Sequence, residues 1–261
     1  MPPQGIITPD LSRTLARLSF ETNRQLGLLI NRRGEIERVI VGDHRSILIP
    51  ELTPIRGHSS RLRGLRCVHT HLKGEPLTED DFMDLVFLRL DLMVALEVDE
   101  HGGPRRLFGA HLLPENVNGK GWLLLDPLSA HEPNLDFLQL VQSLESEFAR
   151  KQALVEVKGN QDRAILVSVT SKPRAQAEAS MAELSELARS SGIAVAERII
   201  QRQQRVNPKY LMGRGKLSEL VLQALQSGVD LLIFDQDLNP SQMRSITDFT
   251  ELRIIDRTQL I

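Results

Sequence analysis

Between Ala164 and Arg257, short apolar runs rich in β-branched residues alternate with amphipathic stretches, without a break in the pattern. AILVSVT (164–170) is apolar at nearly every position, which suits a strand covered on both faces in a parallel sheet. After Pro173, a helical stretch sets Met181, Leu184, Leu187 and Ala188 on one side. IAVAERII (193–200), DLLIFDQ (230–236) and ELRIIDR (251–257) read as three more strands. KLSELVLQALQSG (216–228) reads as a helix closed by Gly228, and Asn239-Pro240-Ser241 opens a short one. Strict alternation predicts a small parallel four-stranded sheet with crossover helices over residues 158–261.

The preceding sequence predicts a separate unit, residues 1–133, joined by a connecting helix over 134–157, so the class is α/β with two mixed α/β units. LGLLI (26–30) and IERVIVG (36–42) flank the turn signal NRRG, as in a hairpin. RCVHTH (66–71) is a strand ending in a histidine pair. Thr78, ahead of acidic residues, is a helix N-cap candidate. DLMVALEVD (91–99), RRLFGAHLL (105–113) and GWLLLDPL (121–128) read as further strands, with Trp122 in the core. Leu138, Val141, Leu144 and Phe148 form the apolar stripe of the connecting helix, which KGNQD (158–162) ends.

Charge narrows the function classes. The 261 residues hold 32 Lys and Arg against 34 Asp and Glu, a net charge of -2. Bulk attraction to a polyanion is therefore excluded, whereas a local basic patch is not. A single cysteine, Cys67, rules out an internal disulfide and fits a reducing cytosol. The start MPPQGIITPDLSRTLARL lacks signal-peptide character, and no apolar run approaches the roughly 20 residues that span a bilayer. The expectation is a cytoplasmic protein with no membrane span.

Two constellations carry chemistry. In the first unit, His69 and His71 stand at a strand end, and Asp80 and Asp81 follow at a helix start. Two histidines and a carboxylate can hold zinc and leave a fourth position for water; Asp81 is the expected ligand, with Asp80 as the alternative. Glu21, before the first strand, then becomes the candidate general base. The pattern resembles the JAB/MPN metalloproteases, including their RadC-like branch, and implies a zinc-dependent hydrolase or peptidase. It departs in Leu72 after the second histidine, in Thr78 for serine, and in a spacing one residue short. A polar strand end without metal is the plainer reading. His44, His58, His101, His111 and His131 have no partner at ligand spacing and read as surface or core residues.

In the second unit, Arg198, Arg202, Arg205, Lys209, Arg214 and Lys216 face one acid, Glu197, over twenty residues. Gly213 and Gly215 let backbone N–H groups approach an anion at a helix start. VNPKYLMGRGKLSEL (206–220), LLIFDQDLNPSQMRSI (231–246) and IIDRTQLI (254–261), in that order, resemble the N-terminal region of the HflX GTPases. The resemblance covers residues 155–261 and implies a helical hairpin and GTPase domain further on, with GTP and Mg²⁺ bound in the full-length protein. It also implies docking on the large (50S) ribosomal subunit, in ribosome splitting, rescue or biogenesis. Lys209, Tyr210, Gly213, Arg214, Gly215 and Lys216 are then candidates for RNA contact, Tyr210 by stacking. A nucleotide-phosphate cradle and a merely solvated loop are the alternatives. Asp235, Asp237 and Asp256 lie near strand ends, where open α/β sheets place ligands. Asp237 to Ser241 reads as turn and cap chemistry.

No G-x-x-x-x-G-K-[ST] phosphate loop occurs in the 261 residues, so no GTP hydrolysis is expected of them alone. The sequence stops at Ile261 directly after a strand, with no further helix expected, and reads as a piece of a longer protein. A binding module is thus the leading expectation, a zinc hydrolase the competing one, and a structural spacer the third possibility for the front unit.

Overall fold

A computed structural model describes residues 1–50, 52, 61–117, 120–156 and 162–261. It divides into two compact units, with the division falling between Glu147 and Phe148.

Unit 1 contains α1 (Pro9–Thr22), β1 (Leu26–Asn31), β2 (Ile36–Val41), β3 (Leu65–His71), α2 (Glu79–Phe87), β4 (Leu92–Val98), β5 (Pro104–Val117), β6 (Lys120–Leu124) and β7 (Leu128–Ser129). Helix α3 (Phe137–Glu156) crosses the division. The sheet runs β2-β1-β3-β4-β5-β6, with β7 on β5, and is mixed: β3 and β4 are parallel, the other pairs antiparallel. Alternation of side chains gives each strand two destinies. Leu28, Ile30, Val68, Leu92, Val94 and Leu96 pack in one cluster with Leu15 and Ala16 of α1 and with Phe137 and Val141 of α3. Each such side chain, fully buried, contributes about 1.5–3 kcal/mol. The opposite face of β3 carries Cys67, His69 and His71 beneath α2.

The stripe of α3 is Phe137, Val141, Leu144 and Phe148, all buried, whereas Leu138 is half-buried. The helix begins at Phe137, which turns that ring rather than Leu138 inward.

Unit 2 contains β8 (Arg163–Thr170), α4 (Arg174–Ser190), β9 (Ala194–Arg202), α5 (Arg214–Ser227), β10 (Leu231–Phe234), α6 (Pro240–Thr250) and β11 (Arg253–Asp256). Its four strands are all parallel in the order β11-β10-β8-β9, as the alternating pattern predicts. Interior positions 164–169 of β8 are buried, the signature of a strand covered on both faces. Gly228 closes α5 at φ +62°, and Asn239 caps α6 by accepting from the Gln242 N–H at 2.8 Å. The chain reverses its direction of travel across the sheet between β8 and β10, where open α/β sheets form their ligand crevice. One expectation needs correction. A one-turn helix α7 (Arg257–Leu260) follows β11, because the Asp256 carboxylate caps it by accepting from the Gln259 N–H at 2.9 Å.

Candidate functional sites

In unit 1, the strand and the helix cap bring three ligand atoms together. His69 and His71 are two apart on β3, so they share a face, and Thr70 between them turns to the other. Thr78 caps α2 in a reciprocal box with Asp81, which fixes that carboxylate over the histidines. His69 Nε2 lies 2.8 Å from His71 Nε2 and 3.0 Å from Asp81 Oδ1, and His71 Nε2 is 3.6 Å from Asp81 Oδ2. All three residues are buried.

Burial alone would raise the Asp81 carboxyl. The bond and charge of His69, with two hydrogen bonds from Thr78, outweigh it and hold the group down to about 2. Burial, and then the neighbouring His69, lower His71, so its ring is neutral at physiological pH. His71 Nδ1 donates to the Glu75 carbonyl at 3.0 Å, which leaves the Nε2 lone pair directed at Asp81 and His69.

The donor set fits a divalent metal. Ligand atoms 2.0–2.1 Å from a tetrahedral zinc are about 3.3 Å from one another, and the three separations bracket that value. The Glu75 carbonyl and Thr78 supply the outer hydrogen bonds that such ligands carry. His69 Nδ1, by contrast, is buried with no partner among the described residues.

Glu21 does not join this group. It sits exposed in the last turn of α1, 3.9 Å from Arg17. Ser19, on the same helix, meets Thr70 Oγ1 at 2.6 Å, so α1 covers the face of β3 opposite the histidines. Asp80 is exposed, and Asp81 is the carboxylate that faces in. His111 is buried and donates to the Leu112 carbonyl, His44 and His101 are exposed, and His58 lies outside the described residues. A cleft of ≈ 660 Å³ beyond β4, lined by Lys73, Glu97, His101, Arg105 and His131, had no signal in the sequence. Its buried Glu97 is held by Arg106 at 2.6 Å.

In unit 2, the segment from Asn207 to Lys216 is locally ordered. Asn207 Oδ1 accepts from the Lys209 and Tyr210 N–H groups at 2.9 Å each, and Asn207 and Leu211 exchange backbone bonds. Leu211 sits in the left-handed region at φ +66°, yet is buried. Gln242 donates to the Pro208 carbonyl at 3.2 Å, tying the loop to α6. Tyr210 packs on Phe249 with ring centroids 5.1 Å apart; Lys209 lies over Tyr210, and Arg214 lies over Phe249. Phe249 escaped the sequence reading, since no local spacing links it to Tyr210. A Cβ built on Gly213 or Gly215 would meet nothing within 4 Å, so the backbone there faces open space. Lys216 is paired with Glu219 at 2.5 Å.

At the β8/β10 reversal, Asp235 accepts from Ser180 at 2.9 Å, Arg257 at 3.1 Å and Ser168 at 3.2 Å. Arg257 also reaches Glu183 at 2.7 Å. Asp256 accepts from the Leu238 N–H, and Asp237 from Thr258. These groups at the reversal are thus paired with the chain's own side chains and backbone.

This unit has known counterparts. Residues 178–261 match the family described as GTP-binding GTPase N-terminal. GTPase HflX of Flavobacterium psychrophilum is 33% identical over 104 residues, 39% of this chain and 25% of that protein. Over about its last hundred residues, the chain is similar to the N-terminal region of the HflX GTPases. GTPase HflX of Lacrimispora saccharolytica (30% over 108 residues, 41% of this chain and 26% of that protein) and of Escherichia coli (34% over 79 residues, 30% and 18%) are similar to it as well. The chain spans about a quarter or less of the length of these HflX relatives. The family match over residues 178–261 contains the segment from Tyr210 to Lys216, Phe249 and the Asp235–Arg257 pair.

Proposed function

We propose that the chain is the N-terminal part of an HflX-type GTPase, and that unit 2 docks this protein on the large ribosomal subunit in the cytoplasm, for ribosome splitting, rescue or biogenesis. The observation that carries the reading is the ordered basic segment within the family match. Arg198, Arg202 and Arg205 are exposed with no ion-pair partner among the described residues, Lys209 stands on a loop that its own hydrogen bonds hold in shape, and the exposed Arg214 opens α5. Guanidinium and ammonium groups so placed suit RNA phosphates, and a preformed loop loses little entropy on binding. With Gly213 and Gly215 open to solvent, backbone N–H groups at the start of α5 add to the same contact. GTP and Mg²⁺ belong to a domain beyond these residues. No helix among the described residues is long and apolar enough to cross a membrane. Co-sedimentation of the chain with ribosomes tests the reading.

A second reading, favoured by the convergence of His69, His71 and Asp81, makes unit 1 a zinc-dependent hydrolase. Zinc held there would polarise a bound water; Glu21, on the far side of the sheet, supplies no base to it. Zinc content of the purified chain, with hydrolysis assayed beside it, tests this reading.

A further inference from the structure

We infer that the aromatic pair Tyr210–Phe249 is a platform for an unpaired base of single-stranded RNA, so that unit 2 recognises an unstacked nucleotide and not a duplex. The inference rests on the ribosome-docking reading and deepens it by naming the RNA element.

The two rings come from different parts of the chain. Tyr210 belongs to the loop before α5 and Phe249 to the last turn of α6, and they meet at 5.1 Å with a 34° tilt. One face of Tyr210 is thus backed by Phe249. Against its ring stands the Lys209 ammonium, 4.9 Å from the centroid. Lys209 is exposed and its four-carbon stem rotates, so a change of rotamer bares the ring and leaves the ammonium beside any phosphate that arrives with the base. The Arg214 guanidinium lies 5.4 Å from the centre of Phe249, at the edge of the same cluster. An aromatic surface flanked by cations is the arrangement that holds single strands: the ring stacks on the base, and the cations follow the backbone.

A duplex offers its phosphates but no free base face. Its bases are stacked inside, and the A-form major groove is too narrow for side chains to read. The loop is held rigid by Asn207, by Gln242 and by the buried Leu211, so Tyr210 is presented in one orientation. Charge complementarity extends the surface, since Arg202 and Arg205 are exposed just upstream and have no carboxylate partner among the described residues.

The test uses the full 261-residue chain, a short single-stranded RNA of mixed sequence, and a blunt-ended RNA duplex of the same composition without a loop, followed by fluorescence anisotropy. The single strand is expected to bind more tightly. Tyr210→Leu, which keeps packing on Phe249 but removes the π-face, is expected to weaken it about 5- to 100-fold, with Tyr210→Phe within about twofold of the parent chain. The salt slope of Tyr210→Leu should match that of the parent, and that of Lys209→Ala should fall by about one. Equal binding of duplex and single strand, or unchanged single-strand binding by a folded Tyr210→Leu, overturns the platform. If ribosomes still pellet with the chain in that case, the docking reading survives alone; if neither RNA nor ribosomes are bound, both fall.

Discussion

Thr70 Oγ1 meets Ser19 Oγ at 2.6 Å on one face of β3, while His69 and His71, its two neighbours, turn to the other face and to Asp81. This alternation separates helix α1, and Glu21 with it, from the three metal-type ligands. It gives unit 1 a clear test. Dialysed protein is expected to take up about one zinc ion per chain, and His71→Ala or Asp81→Asn to abolish uptake. Zinc at about one hundred times its dissociation constant should stabilise the parent chain by about 2.7 kcal/mol and leave His71→Ala unmoved. Elemental analysis and thermal unfolding read the two effects. Glu21→Gln should change neither; an effect of that variant on zinc uptake would contradict the placement of α1.

Arg257 is the second point of attack. Its guanidinium joins Asp235, Ser180 and Glu183, and only 10% of the Asp235 side chain is exposed. Arg257→Ala leaves that carboxylate with serine hydroxyls alone, and is expected to cost about 1–3 kcal/mol in denaturant unfolding. Arg257→Lys should recover little, because an ammonium cannot span both carboxylates and Ser180 as the planar fork does. A cost below about 0.5 kcal/mol would show that the crevice is held by other contacts.

His111 predicts a pH dependence. Burial lowers its affinity for a proton in the folded chain, an effect that its bond to the Leu112 carbonyl and the charge of Glu147 only partly offset. In the unfolded chain the ring titrates at about 6.5. Below that value the unfolded state takes up the proton first, so the stability from keeping the ring neutral is lost as the pH falls from about 6.5. The unfolding midpoint should therefore drop between about pH 7.5 and 5.5, and drop less in His111→Leu. Parallel curves for the two proteins would remove His111 from the account.

Much of this architecture is legible in the sequence. The apolar run 164–170, the Gly228 stop and the Asn239 cap are local signals, and each sits where local physics predicts. The convergence of His69, His71 and Asp81 is legible too, because spacing on a strand and a cap at Thr78 are short-range facts. What escaped was set by packing. Which face of the sheet α1 covers depends on the burial of Leu15 and Ala16, and only that decides against Glu21. Phe249 is 39 residues from Tyr210, and Arg257 is 22 from Asp235, so no periodicity links either pair. The turn of α7 is a different matter: Asp256 to Gln259 is a capping box written in the sequence, too short to show in an apolar pattern.

The most direct test of the account is ribosome co-sedimentation of the chain at two salt concentrations, with an Arg214→Ala/Lys216→Ala variant beside it. The account predicts pelleting with the large subunit that weakens as salt rises, and weaker pelleting of the variant at low salt. Absence of pelleting at low salt, or pelleting that neither salt nor the variant changes, would contradict it.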